Sequence, residues 1–291
     1  MKYIFFLASF CLLFGCKHEH IENVQLSAFS FIPFEKITNL SSTIEETSGI
    51  TKDGEAFWTL NDGGNSNEIF KIDSQGKIIH RVKAIGSKNT DWEELTADST
   101  HLFIGNFGNN VGTRKDLKIY GLSLDSLSAK RAKVQVEINF NYTDQKVFPG
   151  TYDHNFDCEA MISYGDSLYL FSKSWKDEDC MIYRLPKSQG SYGLSAIDRF
   201  DTKGVITAAA ISPKEDRLCL LGYNFTAGVF DPFIWIFSDF EGSDFFGGQS
   251  VRYNMDSKRQ MEAVDWVDDS TLYITAEGEG AGSASLFKIV L

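Results

Sequence analysis

The chain has 291 residues, 43% hydrophobic and 23% charged, with 24 Phe, 11 Tyr and 5 Pro. That suffices for one large globular domain or two small ones, and the aromatic weight favours strands, whose pleated, half-buried surfaces accept such side chains. A formal net charge of −12 repels nucleic-acid phosphates and argues against nucleic-acid binding; it serves either solubility or a cation site.

Residues 1–15 read as a signal peptide. Lys2 opens them, and residues 4–14 form an apolar run too short to span a bilayer in the mature protein. The run ends in Leu13-Phe14-Gly15-Cys16, which resembles a bacterial lipobox. Small Gly15 suits the narrow peptidase pocket, and the Cys16 thiol is the expected lipidation point; Phe14 is bulkier than usual there. An ordinary secretory signal with a chance cysteine is the alternative. Acyl chains on Cys16 would tie the protein to the bacterial cell envelope, at the outer membrane, without a transmembrane helix. Residues 16–27 are polar and read as a tether, in which His18 and His20 are solvated rather than metal-bound. Cys158, Cys180 and Cys219 remain in the mature chain. Three is an odd number, and buried free thiols are the simplest expectation.

Residues 28–291 carry a repeat. A short stretch ending in a small residue and an aliphatic is followed by an aromatic or aliphatic strand. The copies are anchored at Ile50, Leu95, Met161, Ile211 and Val264, at spacings that suit propeller blades. Each anchor begins a series of alternating strands separated by turn residues. The last copy ends one strand short, and residues 29–37 are the natural donor of its outer strand. The reading is an all-β fold, a β-propeller of five four-stranded blades closed by an N-terminal strand, since an open ring would expose sheet edges. Six blades remain open if the long second interval hides another, although residues 141–155 look like a loop. A β-sandwich is the competing architecture.

The phrases Asn61-Asp62-Gly63-Gly64, Asp91-Trp92-Glu93-Glu94-Leu95, Gly105-Asn106-Phe107-Gly108-Asn109-Asn110, Asp157-Cys158-Glu159-Ala160-Met161 and Met261-Glu262-Ala263-Val264 occur in that order. Together they resemble a family of poorly characterised bacterial secreted β-propellers, whose relatives are labelled phytase-like or esterase-like. The resemblance covers residues 44–290. It implies the fold and an extracytoplasmic setting, and says little about reaction, because the fold hosts many functions. Asn106 and Asn109 stand where that family has Asp, which weakens any metal site there.

Two positions before each anchor sit Ser48, Glu93, Glu159, Ala209 and Glu262. About twelve after sit Asp62, Phe107 beside Asn106, Lys173, Tyr223 and Glu277. Hairpin geometry brings both sets to one mouth of the central channel. Glu93, Glu159 and Glu262 would repel one another there unless Lys173 or a bound cation compensates, and Ca²⁺ suits carboxylate oxygens. Capping of strand amides or bracing between blades explains the same repetition equally well. His154, near Asp157 and Glu159, is a candidate base, although a loop histidine is more often plain polar surface. The chain has no nucleophile elbow, Walker loop, dinucleotide fingerprint or zinc motif. Two functions stay open: a monomeric envelope propeller binding a small ligand or a protein partner at the acidic mouth, and a Ca²⁺-assisted hydrolase of esters, lactones or phosphoesters.

Overall fold

The computed structural model describes residues 30–278 and 282–291. The signal peptide, Cys16, the tether and Phe29 lie outside the described residues. Two short strands come first, β1 (Ser30–Phe31) and β2 (Phe34–Asn39). A first antiparallel meander follows: β3 (Thr47–Asp53), β4 (Ala56–Asn61), β5 (Glu68–Asp73) and β6 (Ile78–Ile85). The second contains β7 (Trp92–Ala97), β8 (His101–Asn106), β9 (Lys118–Ser123) and β10 (Arg131–Tyr142). The third contains β11 (Asp157–Tyr164), β12 (Ser167–Lys173) and β13 (Cys180–Pro186). Next, β14 (Gly190–Leu194) leaves to pair in parallel with β10, and β15 (Asp198–Phe200) completes the third sheet. The fourth contains β16 (Val205–Ile211), β17 (Arg217–Thr226), β18 (Val229–Ser238) and β19 (Gln249–Asn254). The last contains β20 (Met261–Trp266), β21 (Thr271–Ala276) and β22 (Ser285–Val290). No strand lies between Tyr142 and Asp157.

The tight hairpins follow from local chemistry. Between β3 and β4, and between β11 and β12, two-residue loops begin on Gly54 and Gly165, both at positive φ (64° and 55°). Such loops match the twist of paired strands and require left-handed backbone, which glycine adopts at little cost.

The first strands β3, β7, β11, β16 and β20 pack against one another in a closed ring, β20 returning to β3. Five apolar cores fill the wedges between adjacent meanders. Period-two alternation divides each strand between its neighbours: in β12, Leu168 and Leu170 face the second meander while Tyr169 and Phe171 face the fourth. Both sheet faces are thus buried, which is why the inner strands read as nearly continuous apolar runs. Cys158, Cys180 and Cys219 are free and buried in these cores.

Two sequence expectations are corrected. The N-terminal segment does not pair as one strand: β1 runs parallel to β19 of the fourth meander, whereas β2 pairs antiparallel with β22 of the last. Pro33 stands between the two pieces and has no amide to donate to a ladder. The fourth copy is also displaced, as its bulge shows below.

Candidate functional site

Each hairpin between a first and a second strand carries a β-bulge at its start. The register shifts between Thr47 and Gly49, Trp92 and Glu94, Cys158 and Ala160, Ile206 and Ala208, and Met261 and Ala263. The inserted residues are Ser48, Glu93, Glu159, Thr207 and Glu262. A bulge leaves its extra residue unpaired and re-aims its side chain, and here it does so five times at one end of the ring. Thr207, not Ala209, is therefore the fourth member. The β16–β17 hairpin is longer than its counterparts, so counting back from Ile211 misses by two. Thr207 and Ser48 play matching roles: their hydroxyls donate to the backbone oxygens of Met261 (2.8 Å) and Glu93 (2.7 Å) in the next meander.

Asp62, Phe107, Lys173, Tyr223 and Glu277 close the second strands at the same end; Lys173 faces Asp157, and Tyr223 faces Val205. A cavity of about 530 Å³ opens there. Asp62, Glu93, Glu159, Glu262 and Glu277 give it five carboxyls, and Lys173 one ammonium. Tyr152, Trp175, Tyr223, Phe225 and Phe230 supply aromatic walls. Phe107 is fully buried and packs its ring over Gly105 in the wedge core.

Burial governs the electrostatics. Lys173 Nζ donates to Glu159 Oε2 at 2.5 Å, with both side chains about 95% buried, and also lies 4.7 Å from the Trp175 ring and 5.2 Å from that of Tyr223. Burial opposes the charge on Lys173, but Glu159, Tyr223 and Glu262 hold its pKa well above the usual value. Burial raises Glu159 in spite of Lys173, with Asp157 and Glu262 adding to the rise. Burial also pushes Glu262 up to about 7 and, with the charge of Glu262, Glu277 to about 9. The Gln260 amide donates to Glu262. Glu93 is raised well above the carboxylate range by burial, then by Asp62 and Glu159.

Three expected site residues brace the mouth instead of lining it. Asn106 Oδ1 accepts the amides of Thr90 and Asp91, both at 3.0 Å. Asp157 accepts the amides of Asn109 and Cys158 and the indole N–H of Trp175. His154 has both ring nitrogens engaged: Nδ1 accepts the Phe156 amide at 3.0 Å, so Nε2 donates to Asn110 O at 2.9 Å. No ring nitrogen is left to act as a base.

Two acids escaped sequence reasoning. Asp91 lies beside Asp62 and Glu93, and together they form the carboxylate trio among the described residues whose oxygens lie within 4.8 Å of one another. Its place before the bulged Trp92-Glu93-Glu94 was the available signal. Glu159 and Glu262 do not belong to this trio. Glu94, just past the bulge, is buried and accepts the amides of Leu95, Ala209 and Ile50. These belong to the second, fourth and first meanders. The second and fourth are not neighbours in the ring, so this carboxyl reaches across the axis. The offset from the anchors set Glu93 at the mouth and Glu94 apart from it, but nothing in the sequence marks Glu94 as the residue that crosses the axis.

No protein-family model matches the sequence, and no curated protein does. Among solved structures, the PQQ-bound aldose sugar dehydrogenase of Streptomyces coelicolor is similar at 9% identity and a TM-score of 0.51, over 89% of this chain and 98% of that one. Hydrazine synthase of Kuenenia stuttgartiensis gives 13% identity and 0.43, over 82% of this chain. A chain of a mitotic checkpoint complex gives 13% and 0.39, over 83%. This chain spans 58% and 63% of the length of those last two. Identities this low speak for fold alone: the chain has an all-β, β-propeller-like fold.

Proposed function

We propose that the chain is a five-bladed propeller of the secreted family resembled by its motifs, held at the bacterial envelope by lipid on Cys16, and that its channel mouth binds a small organic ligand carrying positive charge. The observation behind this reading is the cavity: five carboxyls and aromatic walls surround one lysine already neutralised by Glu159. Aromatic faces and carboxylates both favour a cation. The four-stranded meanders, the closed ring of first strands and the wedge cores support five blades.

The alternative, Ca²⁺-assisted hydrolysis of esters, lactones or phosphoesters, has acids to hold an ion and Glu262, raised to about 7, as a base, but not the expected His154, which is committed at both nitrogens. The aromatic walls around the carboxyls favour binding as the primary role. Calorimetry against organic amines, neutral sugars and organic anions tests it. Amines are expected to bind, with affinity rising from pH 6 to pH 9 as Glu262 and Glu277 ionise. Binding confined to anions would reject the reading.

A further inference from the structure

Asp62, Asp91 and Glu93 reach one point from three places: the residue after β4, the residue before β7, and the bulge of β7. One oxygen from each lies within 4.8 Å of the others. Like charges so close repel unless something compensates. Burial and then the charge of Asp62 push Asp91 up to about 6. Nearby cations compensate only in part. Arg114 Nη1 donates to Gly108 O at 2.6 Å and stays 3.7 Å from Asp91, while its Nη2 serves Asn106 O and its Nε serves Asp116. Lys173 is paired with Glu159.

A second observation is independent of the clustering. Glu93 is 96% buried, and its Oε1 has no hydrogen-bond partner. Buried polar atoms nearly always have one. This oxygen points at the trio: a Cβ on Gly108 would stand 1.9 Å from Glu93 Oε1 and 2.7 Å from Asp91 Oδ2. Gly63 does the same for the other oxygen of Asp91, at 2.3 Å from Oδ1. Two glycines thus keep room for these carboxylates: Glu93 Oε1 has no partner, Glu93 Oε2 has only a 3.3 Å contact from Ser48 Oγ, and Asp91 has only the more distant Arg114.

We propose that Asp62, Asp91 and Glu93 form a divalent-cation site and that Ca²⁺ is the ion it takes. The donors are all hard oxygens, which exclude thiolate-seeking metals. Ca²⁺ tolerates irregular sets of six to eight oxygens, whereas Mg²⁺ demands a near-ideal octahedron. Asp62 and Glu93 also line the cavity, so the remaining positions of the ion face it. The site stands apart from the organic-ligand reading and holds with or without it.

Titrating CaCl₂ into the chelator-stripped full chain in detergent at pH 8 tests this, with NaCl at matched ionic strength as control. One saturable site is expected, with a rise of several degrees in Tm at millimolar Ca²⁺, as for any ligand of the native state. Glu93→Gln and Asp91→Asn should each weaken binding at least tenfold. Glu93→Gln keeps size and shape, and a circular-dichroism spectrum unchanged from wild type separates lost ligation from lost fold. Gly108→Ala, which displaces Glu93, provides a second variant and should weaken binding without removing any charge. Absence of saturable heat with a Tm that follows ionic strength alone overturns the site, as does wild-type affinity in both acid variants. Amine binding that persists in EGTA while Ca²⁺ gives no response overturns the ion site and leaves the cavity reading intact.

Discussion

Lys173 and Glu159 show what one residue decides at this mouth. Their contact is nearly dry, and removing one partner of such a pair strands the other charge. Lys173→Met is expected to lower unfolding free energy by about 3–5 kcal/mol, whereas Lys173→Met with Glu159→Leu should recover much of that loss. Urea denaturation of both variants checks this, and equal losses would mean that the pair is not electrostatically closed. Both partners were readable as repeat-aligned polar positions. Lys173 was also expected to compensate the glutamates there; that it closes on Glu159, across its own hairpin, rather than on Glu93 or Glu262, was decided by the fold.

At the scale of the element, the bulges matter most. An extra residue in a strand reverses which face the following side chains take. Repeated at one end of five hairpins, it turns Ser48, Glu93, Glu159, Thr207 and Glu262 toward the mouth while the strands beyond keep their apolar alternation. The residue after each bulge is Gly49, Glu94, Ala160, Ala208 or Ala263. Four are small, leaving space for the one glutamate that crosses the axis. A Cβ on Gly49 would come 2.7 Å from Leu95 N and 2.9 Å from Glu94 Oε1. Gly49→Ala must therefore push β3 from β7 or dislodge Glu94. A loss of about 1–3 kcal/mol, the range for overpacking, is expected in thermal or urea unfolding; an unchanged midpoint would place the Glu94 carboxyl elsewhere. Four of the five bulge residues were legible from spacing. The fourth copy failed because its longer hairpin shifts the apparent anchor, and hairpin length is not marked by composition.

For the whole molecule, the buried acids set a pH dependence. The ordinary carboxyl values are 3.8 for Asp and 4.5 for Glu; in the fold, burial raises Asp91 and Asp265 to about 6, Glu262 to about 7 and Glu277 to about 9. These groups keep protons that the unfolded chain has already released. Their stabilisation is full below the ordinary values and is lost as pH rises through the folded ones. Asp98, lowered to about 2 mainly by amide hydrogen bonds that outweigh its burial, acts in the opposite sense but only in acid. Tm is therefore expected to fall between pH 5 and pH 9 in the absence of divalent cations; a flat or rising profile would contradict the burial of the mouth acids. At the same scale stands the proposed anchor. Cys16→Ala should release the protein from membranes or block its processing, as fractionation and intact mass would show; unchanged partition and mass would refute lipidation.

What the sequence determined by itself was the all-β character, the repeat and the gathering of acids at one end, because strand periodicity and turn residues act over a few neighbours. It also placed β2 beside β22, since a chain whose last copy lacks an outer strand must find one. Tertiary structure alone decided the rest. Asp62, Asp91 and Glu93 meet only after two meanders pack side by side. The free oxygen of Glu93 depends on the missing side chain of Gly108, and the reach of Glu94 across the axis on four small residues around it. Such contacts arise between segments far apart in the chain, where distance is set by how sheets pack around a ring and not by spacing along it.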